Sequence, residues 1–172
     1  LNTGTELLLG EIINTSAVYL SEELNQLGYS VLFQTTVGDN EERLKEVYSI
    51  ALERSDIVIT TGGLGPTEGD ITKHVMADLL DQELVLDAPS LAKIEEMFAR
   101  RNAVMSKNNI RQAMVPKSAT PLENNYGTAP GIWMETDRGK LVIQLPGPPY
   151  EMRKMFKEQV EHRLREKYGV LG

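Results

Sequence analysis

The sequence predicts an α/β domain with a mostly parallel sheet, and three observations lead to this prediction. A continuous run of mainly β-branched residues at 56–61 is typical of a strand buried on both faces. Segments with apolar residues at helical spacing alternate along the chain with short strand-like segments. Several of these segments lead into glycine-rich turns. Because strands that alternate with helices form right-handed βαβ units, we expect a three-layer αβα sandwich.

Each element is predicted from the spacing of its apolar residues and from the residues that end it. The first helix, at 14–27, has apolar residues three or four positions apart and ends at Gly28. Residues 1–4 resemble the end of a strand that enters a glycine turn, so we expect a few strand residues to precede them. Residues 102–137 contain three prolines and are predicted to form loops and short hairpin strands. The remaining helices are predicted at 41–54, about 70–80, about 89–101 and about 150–168, and the strands at 29–37, 56–61 and about 139–145.

The composition limits the classes of protein and of site. At 172 residues and 41% hydrophobic content, the chain suits one globular domain covering residues 1–172. A net charge of -7 would repel nucleic acid, whereas a small anionic ligand can still bind to backbone amides. The absence of cysteine excludes disulfides, thiolate metal sites and a cysteine nucleophile. The sequence has no membrane-spanning run and no signal-peptide pattern, so we expect a cytoplasmic protein.

The segment most informative about chemistry is the glycine-rich turn that follows the strand at 56–61. It reads Thr60-Thr61-Gly62-Gly63-Leu64-Gly65-Pro66-Thr67-Glu68-Gly69-Asp70 and matches neither the Rossmann nor the P-loop pattern. Ligands of open α/β sheets bind at the carboxyl ends of strands, and a helix N-terminus favours phosphate. Glycine lets the backbone approach a ligand closely, and threonine hydroxyls add donors. The turn therefore predicts a phosphate site, while the alternative is a tight turn in which Asp70 caps the helix.

Five motifs follow one another along nearly the whole chain. They are Gly4-Thr5-Glu6-Leu7-Leu8-x-Gly10 with Asn14-Thr15, Val37-Gly38-Asp39-Asn40, the glycine-rich turn, Gly127-Thr128-Ala129-Pro130-Gly131, and Leu145-Pro146-Gly147-Pro148-Pro149-x-Glu151-Met152. In this order they resemble the N-terminal domain of the CinA (competence/damage-inducible protein A) family. The resemblance implies the molybdopterin-binding fold shared with MoaB and MogA, in which a pterin or its nucleotide binds at the strand ends.

The resemblance also implies an activity. Domains of this kind in CinA proteins are associated with ADP-ribose pyrophosphatase activity, whereas nicotinamide mononucleotide deamidation belongs to a separate domain that these residues do not contain. The first hypothesis is therefore a metal-dependent hydrolase of ADP-ribose or a related nucleotide. The second is a protein of molybdopterin binding or molybdopterin cofactor biosynthesis, and the third is a non-catalytic nucleotide sensor. In each case we expect a small-molecule nucleotide or pterin as partner, and a homo-oligomer, either a dimer or a trimer.

Two carboxylates are predicted to form the catalytic metal site. Asp39 and Asp70 match acidic residues of the family, and hard oxygen ligands suit Mg²⁺, Mn²⁺ or Co²⁺. The alternative for Asp39 is a turn residue that bonds its own backbone. Where the family has two adjacent acidic residues, this chain has Gly69 followed by Asp70. One carboxylate is therefore replaced, which makes hydrolysis harder to predict than binding.

The remaining candidate residues are predicted to contact the ligand. Without the resemblance, Glu6 would be solvated, Asn14 would cap a helix and Asn109 would make an interhelical polar contact. His74 and His162 are interpreted as surface or helix-face residues, because neither belongs to a cluster of metal-ligating residues. The predicted ligand contacts are Gly4, Thr5, Glu6, Asn14, Thr61, Gly62, Gly63, Gly65, Thr67, Asn109, Gly127, Thr128, Pro146 and Gly147.

Overall fold

A computed structural model of the protein describes residues 2–3, 15–38 and 40–169. Six strands in this part of the chain form one sheet, in the order β2-β1-β3-β8-β7-β6, and β4 and β5 form a separate two-stranded sheet. The strands are β1 (Asn2–Thr3), β2 (Thr36–Val37), β3 (Ile57–Thr61), β4 (Leu84–Leu86), β5 (Met114–Pro116), β6 (Thr120–Leu122), β7 (Gly131–Glu135) and β8 (Leu141–Leu145).

The strand directions bring several chain segments to one edge of the main sheet. Strands β2, β1, β3 and β8 are parallel, whereas β7 is antiparallel to β8 and β6 is antiparallel to β7. In the register, Thr61 lies opposite Leu145, and Ile132 lies opposite Gln144. The carboxyl ends of β3 and β8 and the amino end of β7 therefore lie at the same edge. The parallel pairing of β3 with β8 agrees with the predicted, mostly parallel sheet.

Seven α-helices are described alongside these strands. Asn40 begins the second of them by accepting a hydrogen bond from the Arg43 amide, and Asp87 begins the fourth by accepting one from the Ser90 amide. A π-helical turn (Phe156–Val160) joins the last two. The helices are α1 (Thr15–Gln26), α2 (Glu41–Arg54), α3 (Thr72–Leu79), α4 (Ala88–Arg100), α5 (Lys107–Gln112), α6 (Pro149–Met155) and α7 (Glu161–Tyr168).

The sheet separates two hydrophobic cores, which confirms the predicted three-layer αβα arrangement. Along β8, Ile143 faces one core and Val142 faces the other, because successive strand residues point to opposite faces. The first core contains buried residues of α1 and of the C-terminal helices, such as Leu20 and Phe156. The second contains residues of α2 and α3, such as Leu44. The helices therefore cover both faces of the strands that lead to the carboxyl edge.

Three local predictions need correction. The strand predicted at 29–37 is limited to Thr36–Val37, because a strand needs a paired neighbour and the described part of β1 pairs only there. Residues 102–137 contain the predicted short hairpin strands, β6 and β7, but also the helix α5 and the strand β5, and α5 begins with a capping box between Ser106 and Asn109. The helix predicted at about 150–168 is interrupted by the π-helical turn. No helix of the described ranges is long and apolar enough to cross a membrane.

Candidate functional site

The turns that follow β3 and β8 touch each other at the carboxyl edge of the sheet. The Gly62 amide donates a hydrogen bond to the Leu145 carbonyl oxygen at 3.0 Å. A Cβ atom added to Gly147 would lie 3.2 Å from the Gly62 Cα atom. Since any larger residue at 147 would crowd this contact, the glycine lets the two turns form one continuous backbone surface.

The glycine turn, residues 62–70, depends on glycine for its conformation. Gly62 has φ +90° and Gly63 has φ +73°, in the left-handed region that favours glycine. A Cβ atom on Gly63 would overlap the Thr72 side chain, and one on Gly65 would lie 2.6 Å from Asp70 Oδ2. Both the dihedral angles and the space around the turn therefore require residues without side chains at these positions.

The Asp70 carboxylate closes the turn instead of capping α3. Its Oδ2 atom accepts hydrogen bonds from the Thr67 amide at 2.9 Å and from the Thr67 hydroxyl at 2.5 Å. The residue at the N-cap of α3 is Ile71, which makes no side-chain hydrogen bond, so the interpretation of Asp70 as a helix cap is wrong. The first amides of α3 therefore have no capping side chain from Ile71 and point toward the carboxyl edge.

Positive charge lies close to the glycine turn. Arg111 Nη2 donates to the Asp70 carbonyl oxygen at 3.1 Å. Lys73 is only 3% exposed, and its Nζ donates to the carbonyl oxygens of Arg111 and Gln112 at 3.1 and 3.3 Å. Burial, followed by the charge of Arg111, lowers the pKa of Lys73 from 10.5 to about 8. Sequence reasoning missed both cations, although Lys73 stands three positions before the apolar Met76 on the same helix face.

His74 is more enclosed than the sequence interpretation allowed. Its ring is half-buried, and its Nδ1 atom has no hydrogen-bond partner within the described residues. Burial first, and then the charges of Arg111 and Lys73, lower the pKa of His74 from 6.5 to about 4. The imidazole is therefore neutral at neutral pH, and the local positive charge comes from Arg111 and Lys73.

Two buried polar side chains lie beneath the start of α3. Thr60 and Gln144 are neighbours in the β3–β8 register, and both are fully buried. Gln144 Nε2 donates to the Thr72 carbonyl oxygen at 3.4 Å. Gln144 Oε1 and the Thr60 hydroxyl have no partner within the described residues. Because buried polar atoms are normally satisfied, these two mark a polar floor under the glycine turn.

Asn109 belongs to a hydrogen-bonded chain that reaches the loop before β7. Its Oδ1 accepts from the Ser106 amide at 3.0 Å and hydroxyl at 2.8 Å, and its Nδ2 donates to Gln112 Oε1 at 3.3 Å. Gln112 Nε2 in turn donates to the Thr128 hydroxyl at 3.0 Å. Asn109 thus orients Gln112, and Gln112 holds Thr128 in place.

The loop before β7 is fixed by one buried asparagine. Asn124 Nδ2 donates to the Ala129 carbonyl oxygen and to Glu151 Oε1, both at 2.9 Å. A Cβ atom on Gly127 would overlap the Glu151 carboxylate. Since Glu151 lies in α6, directly after the turn that follows β8, the loop and this turn are held together. A cavity of about 340 Å³ lies on the side of the loop that faces α4.

The structure brings many of the predicted residues to one edge of the sheet. Those around the glycine turn are Thr61, Gly62, Gly63, Gly65, Thr67, Asp70, Pro146 and Gly147, and those on the adjoining loop and helix are Asn109, Gly127 and Thr128. The predicted residues Gly4, Thr5, Glu6, Asn14 and Asp39 lie outside the described residues. Within the described part, no group of three or more acidic or histidine side chains could hold a metal ion.

The sequence of the chain is similar to one family model and to several known proteins. The family model described as "Probable molybdopterin binding domain" matches residues 1–166. A CinA-like protein of Dictyoglomus turgidum is 52% identical over 160 residues, which are 93% of this chain and 39% of that protein. A competence-damage inducible protein of Clostridium beijerinckii is 52% identical over 164 residues, which are 95% of this chain and 40% of that protein. The chain spans about two fifths of the length of these relatives.

The fold of the chain is similar to that of solved structures. A CinA protein of Thermoplasma acidophilum matches with a TM-score of 0.85 and 34% identity, over 96% of this chain and 94% of that one. The molybdopterin biosynthesis enzyme MoaB of Thermus thermophilus matches with a TM-score of 0.61 and 21% identity, over 98% of this chain and 93% of that one. The second likeness concerns the fold alone, and it confirms the predicted MoaB/MogA-like architecture.

Proposed function

The chain belongs to the CinA family and carries its molybdopterin-binding domain, and from this premise we propose that it binds a phosphorylated pterin or nucleotide with a phosphate group at the glycine turn. A pterin is the first choice, because the matching family model is named for molybdopterin binding. The nucleotide is retained because both ligand types combine a phosphate with a flat nitrogen-containing ring.

One observation carries this proposal, namely the backbone surface formed by residues 62–65 and Gly147 in front of α3. Positive φ angles at Gly62 and Gly63 turn the backbone sharply, and Ile71 provides no side-chain cap for the first amides of α3. Unsatisfied amides at a helix N-terminus, together with the helix dipole, attract anions. The guanidinium of Arg111 adds a full positive charge beside Asp70.

Calorimetric titration with a pterin phosphate, AMP and ADP-ribose tests this proposal. We expect Arg111→Gln to weaken the binding of each phosphorylated ligand about tenfold or more, because a charge-assisted hydrogen bond contributes roughly 1.5–3 kcal/mol. The matched control is Arg100→Gln, since Arg100 is exposed on α4 and pairs with Glu96. The absence of binding by all three ligands, or equal losses in the two variants, would contradict the phosphate site.

Metal-dependent cleavage of the pyrophosphate bond of ADP-ribose is the second candidate function. Both hydrogen bonds from Thr67 end on Oδ2 of Asp70, so its Oδ1 remains available to a hard cation such as Mg²⁺. Such a cation would supply Lewis-acid stabilisation of the charge on phosphate. Asp70 would orient it, Arg111 and the turn amides would hold the phosphate, and Asp39 would have to provide the second carboxylate.

The substitution Gly69→Asp tests this second candidate, because it restores the adjacent acidic pair of the family. Gly69 is exposed and does not have a positive φ, so an aspartate fits its backbone conformation. We expect faster release of AMP from ADP-ribose with Mg²⁺, Mn²⁺ or Co²⁺, with little change in affinity, because a second ligand stabilises mainly the transition state. If the folded variant and the parent protein both fail to turn ADP-ribose over with any of these metals, the hydrolase hypothesis is wrong.

A further inference from the structure

Two exposed tyrosines form a pair at the start of α6, next to the turn that follows β8. Tyr126 is 39% exposed and Tyr150 is 62% exposed, and neither ring belongs to either hydrophobic core. Their ring centroids lie 5.3 Å apart with an interplanar angle of 88°, an edge-to-face contact. The fold therefore gains little from these two rings, and an exposed aromatic pair of this kind indicates a contact surface.

The position of the pair follows from its neighbours in the chain. Tyr150 comes three residues after Gly147, whose backbone lies against Gly62, so the Cα atoms of Tyr150 and Gly147 can be at most about 11 Å apart. Tyr126 immediately precedes Gly127, which packs against the Glu151 carboxylate next to Tyr150. Tyr150 therefore lies directly after one of the two turns that form the proposed phosphate site, within reach of a ligand the size of a nucleotide.

Buried and charged groups fix the orientation of the pair. The Tyr126 amide donates to Oδ1 of the buried Asn124 at 3.0 Å, and the Tyr126 hydroxyl donates to Glu158 Oε1 at 2.7 Å. Lys154 Nζ lies 5.7 Å from the centroid of each ring. Because Tyr126 is held at its backbone and at its hydroxyl, it supports the more exposed Tyr150 ring at little entropic cost on ligand binding.

From this geometry we propose that Tyr150, supported by Tyr126, stacks on the planar heteroaromatic ring of the ligand whose phosphate is bound at the glycine turn. The inference rests on the proposed function and narrows its ligand class. A ligand must carry a flat ring, as a purine nucleotide or a pterin phosphate does, because a bare sugar phosphate cannot use the aromatic surface. Stacking of one base on an aromatic side chain corresponds to roughly a 5- to 150-fold change in affinity.

The test compares ligands with and without a ring. Calorimetry measures the dissociation constants of AMP, a pterin phosphate and ribose 5-phosphate for the parent protein and for Tyr150→Ala, Tyr150→Phe and Phe33→Ala. We expect Tyr150→Ala to weaken AMP and the pterin phosphate about tenfold and to leave ribose 5-phosphate unchanged. Tyr150→Phe is expected to keep the parent affinity, because the ring face and not the hydroxyl makes the contact. Phe33 is the matched control, since it is 49% exposed, stacks with Arg54 and lies before β2, away from the carboxyl edge.

The outcomes separate this inference from the proposed function. If the parent protein binds AMP and ribose 5-phosphate equally well, the phosphate site stands and the stacking inference is overturned. If Tyr150→Ala weakens ribose 5-phosphate as much as AMP, the residue supports the turn and does not stack on the ring. If none of the three ligands binds the parent protein, the proposed function itself fails. A ring-selective loss in Tyr150→Ala alone supports the inference.

Discussion

The buried ammonium of Lys73 makes the stability of the domain depend on alkaline pH. Its side chain is 3% exposed, and burial lowers its pKa from 10.5 to about 8. Because the folded pKa lies below the unfolded one, the folded chain releases the proton first. Stability therefore rises with pH between about 8 and 10.5 as the cost of burying the charge disappears.

The size of this effect follows from the two pKa values. The difference between 10.5 and about 8 corresponds to about 3 kcal/mol over the complete titration. Between about pH 8 and about pH 10, the free energy of unfolding should gain about 2 kcal/mol from Lys73. The substitution Lys73→Met removes this gain, although it also leaves the carbonyl oxygens of Arg111 and Gln112 without their donor.

Urea unfolding of the parent protein and of Lys73→Met over this pH range measures the effect. The quantity compared is the difference between the two free energies of unfolding, because tyrosine titrations common to both proteins cancel in it. Lys45→Met is the control, since Lys45 lies on the surface of α2 in an ion pair with Glu41. A difference between parent and Lys73→Met that stays constant within about 0.5 kcal/mol would refute the reasoning, because surface substitutions vary by that much.

Two further predictions concern the glycine turn and the acid limb of the stability curve. Gly63→Ala should lower the free energy of unfolding by about 2–4 kcal/mol, because the new side chain combines a positive φ with overlap on Thr72. The control Gly139→Ala has a similar φ and open space around it, so it should lower the free energy of unfolding by only about 1–2 kcal/mol. Equal losses of the two variants in denaturant unfolding would contradict this prediction. Since the folded pKa of His74 is about 4 against 6.5 unfolded, stability should fall as pH drops from 6.5 toward 4. His74→Gln should make the free energy of unfolding less dependent on pH in this range, whereas the same substitution at the exposed His162 should not. If the free energy of unfolding of His74→Gln depends on pH as that of the parent protein does, His74 does not cause the loss of stability.

Local sequence signals predicted those elements that local chemistry determines. The bounds 41–54 predicted for α2 agree with Glu41–Arg54, because Asn40 supplies a cap and the apolar spacing is regular. The turn at 62–70 is predictable from sequence, because closely spaced glycines between a buried strand and a helix are typical of a turn that needs residues without side chains. In both cases a few adjacent residues contain the required information.

Features that depend on distant contacts were not predictable in the same way. Lys73 has the sequence appearance of a solvated helix residue, and its burial depends on the end of α5, 38 residues further along the chain. Asn124 orders the loop before β7 through Glu151, 27 residues away. The antiparallel pairing of β7 with β6 agrees with the predicted hairpin strands, whereas the pairing of β7 with β8 is indicated by no spacing within the segment.

The antiparallel direction of β7 gives the carboxyl edge of the sheet two kinds of segment, a rigid turn between parallel strands and the tip of a hairpin. Residues 123–130 form the tip of a hairpin whose two ends, Leu122 and Gly131, are paired in register on the sheet. The tip can therefore lengthen without moving any parallel strand, as long as Asn124 keeps its hydrogen bonds to Ala129 and Glu151. The glycine turn has no such freedom, because its backbone is locked between Gly147 and Thr72. Relatives that share this sheet are accordingly expected to keep the conformation of the glycine turn and to differ in the length of the hairpin tip.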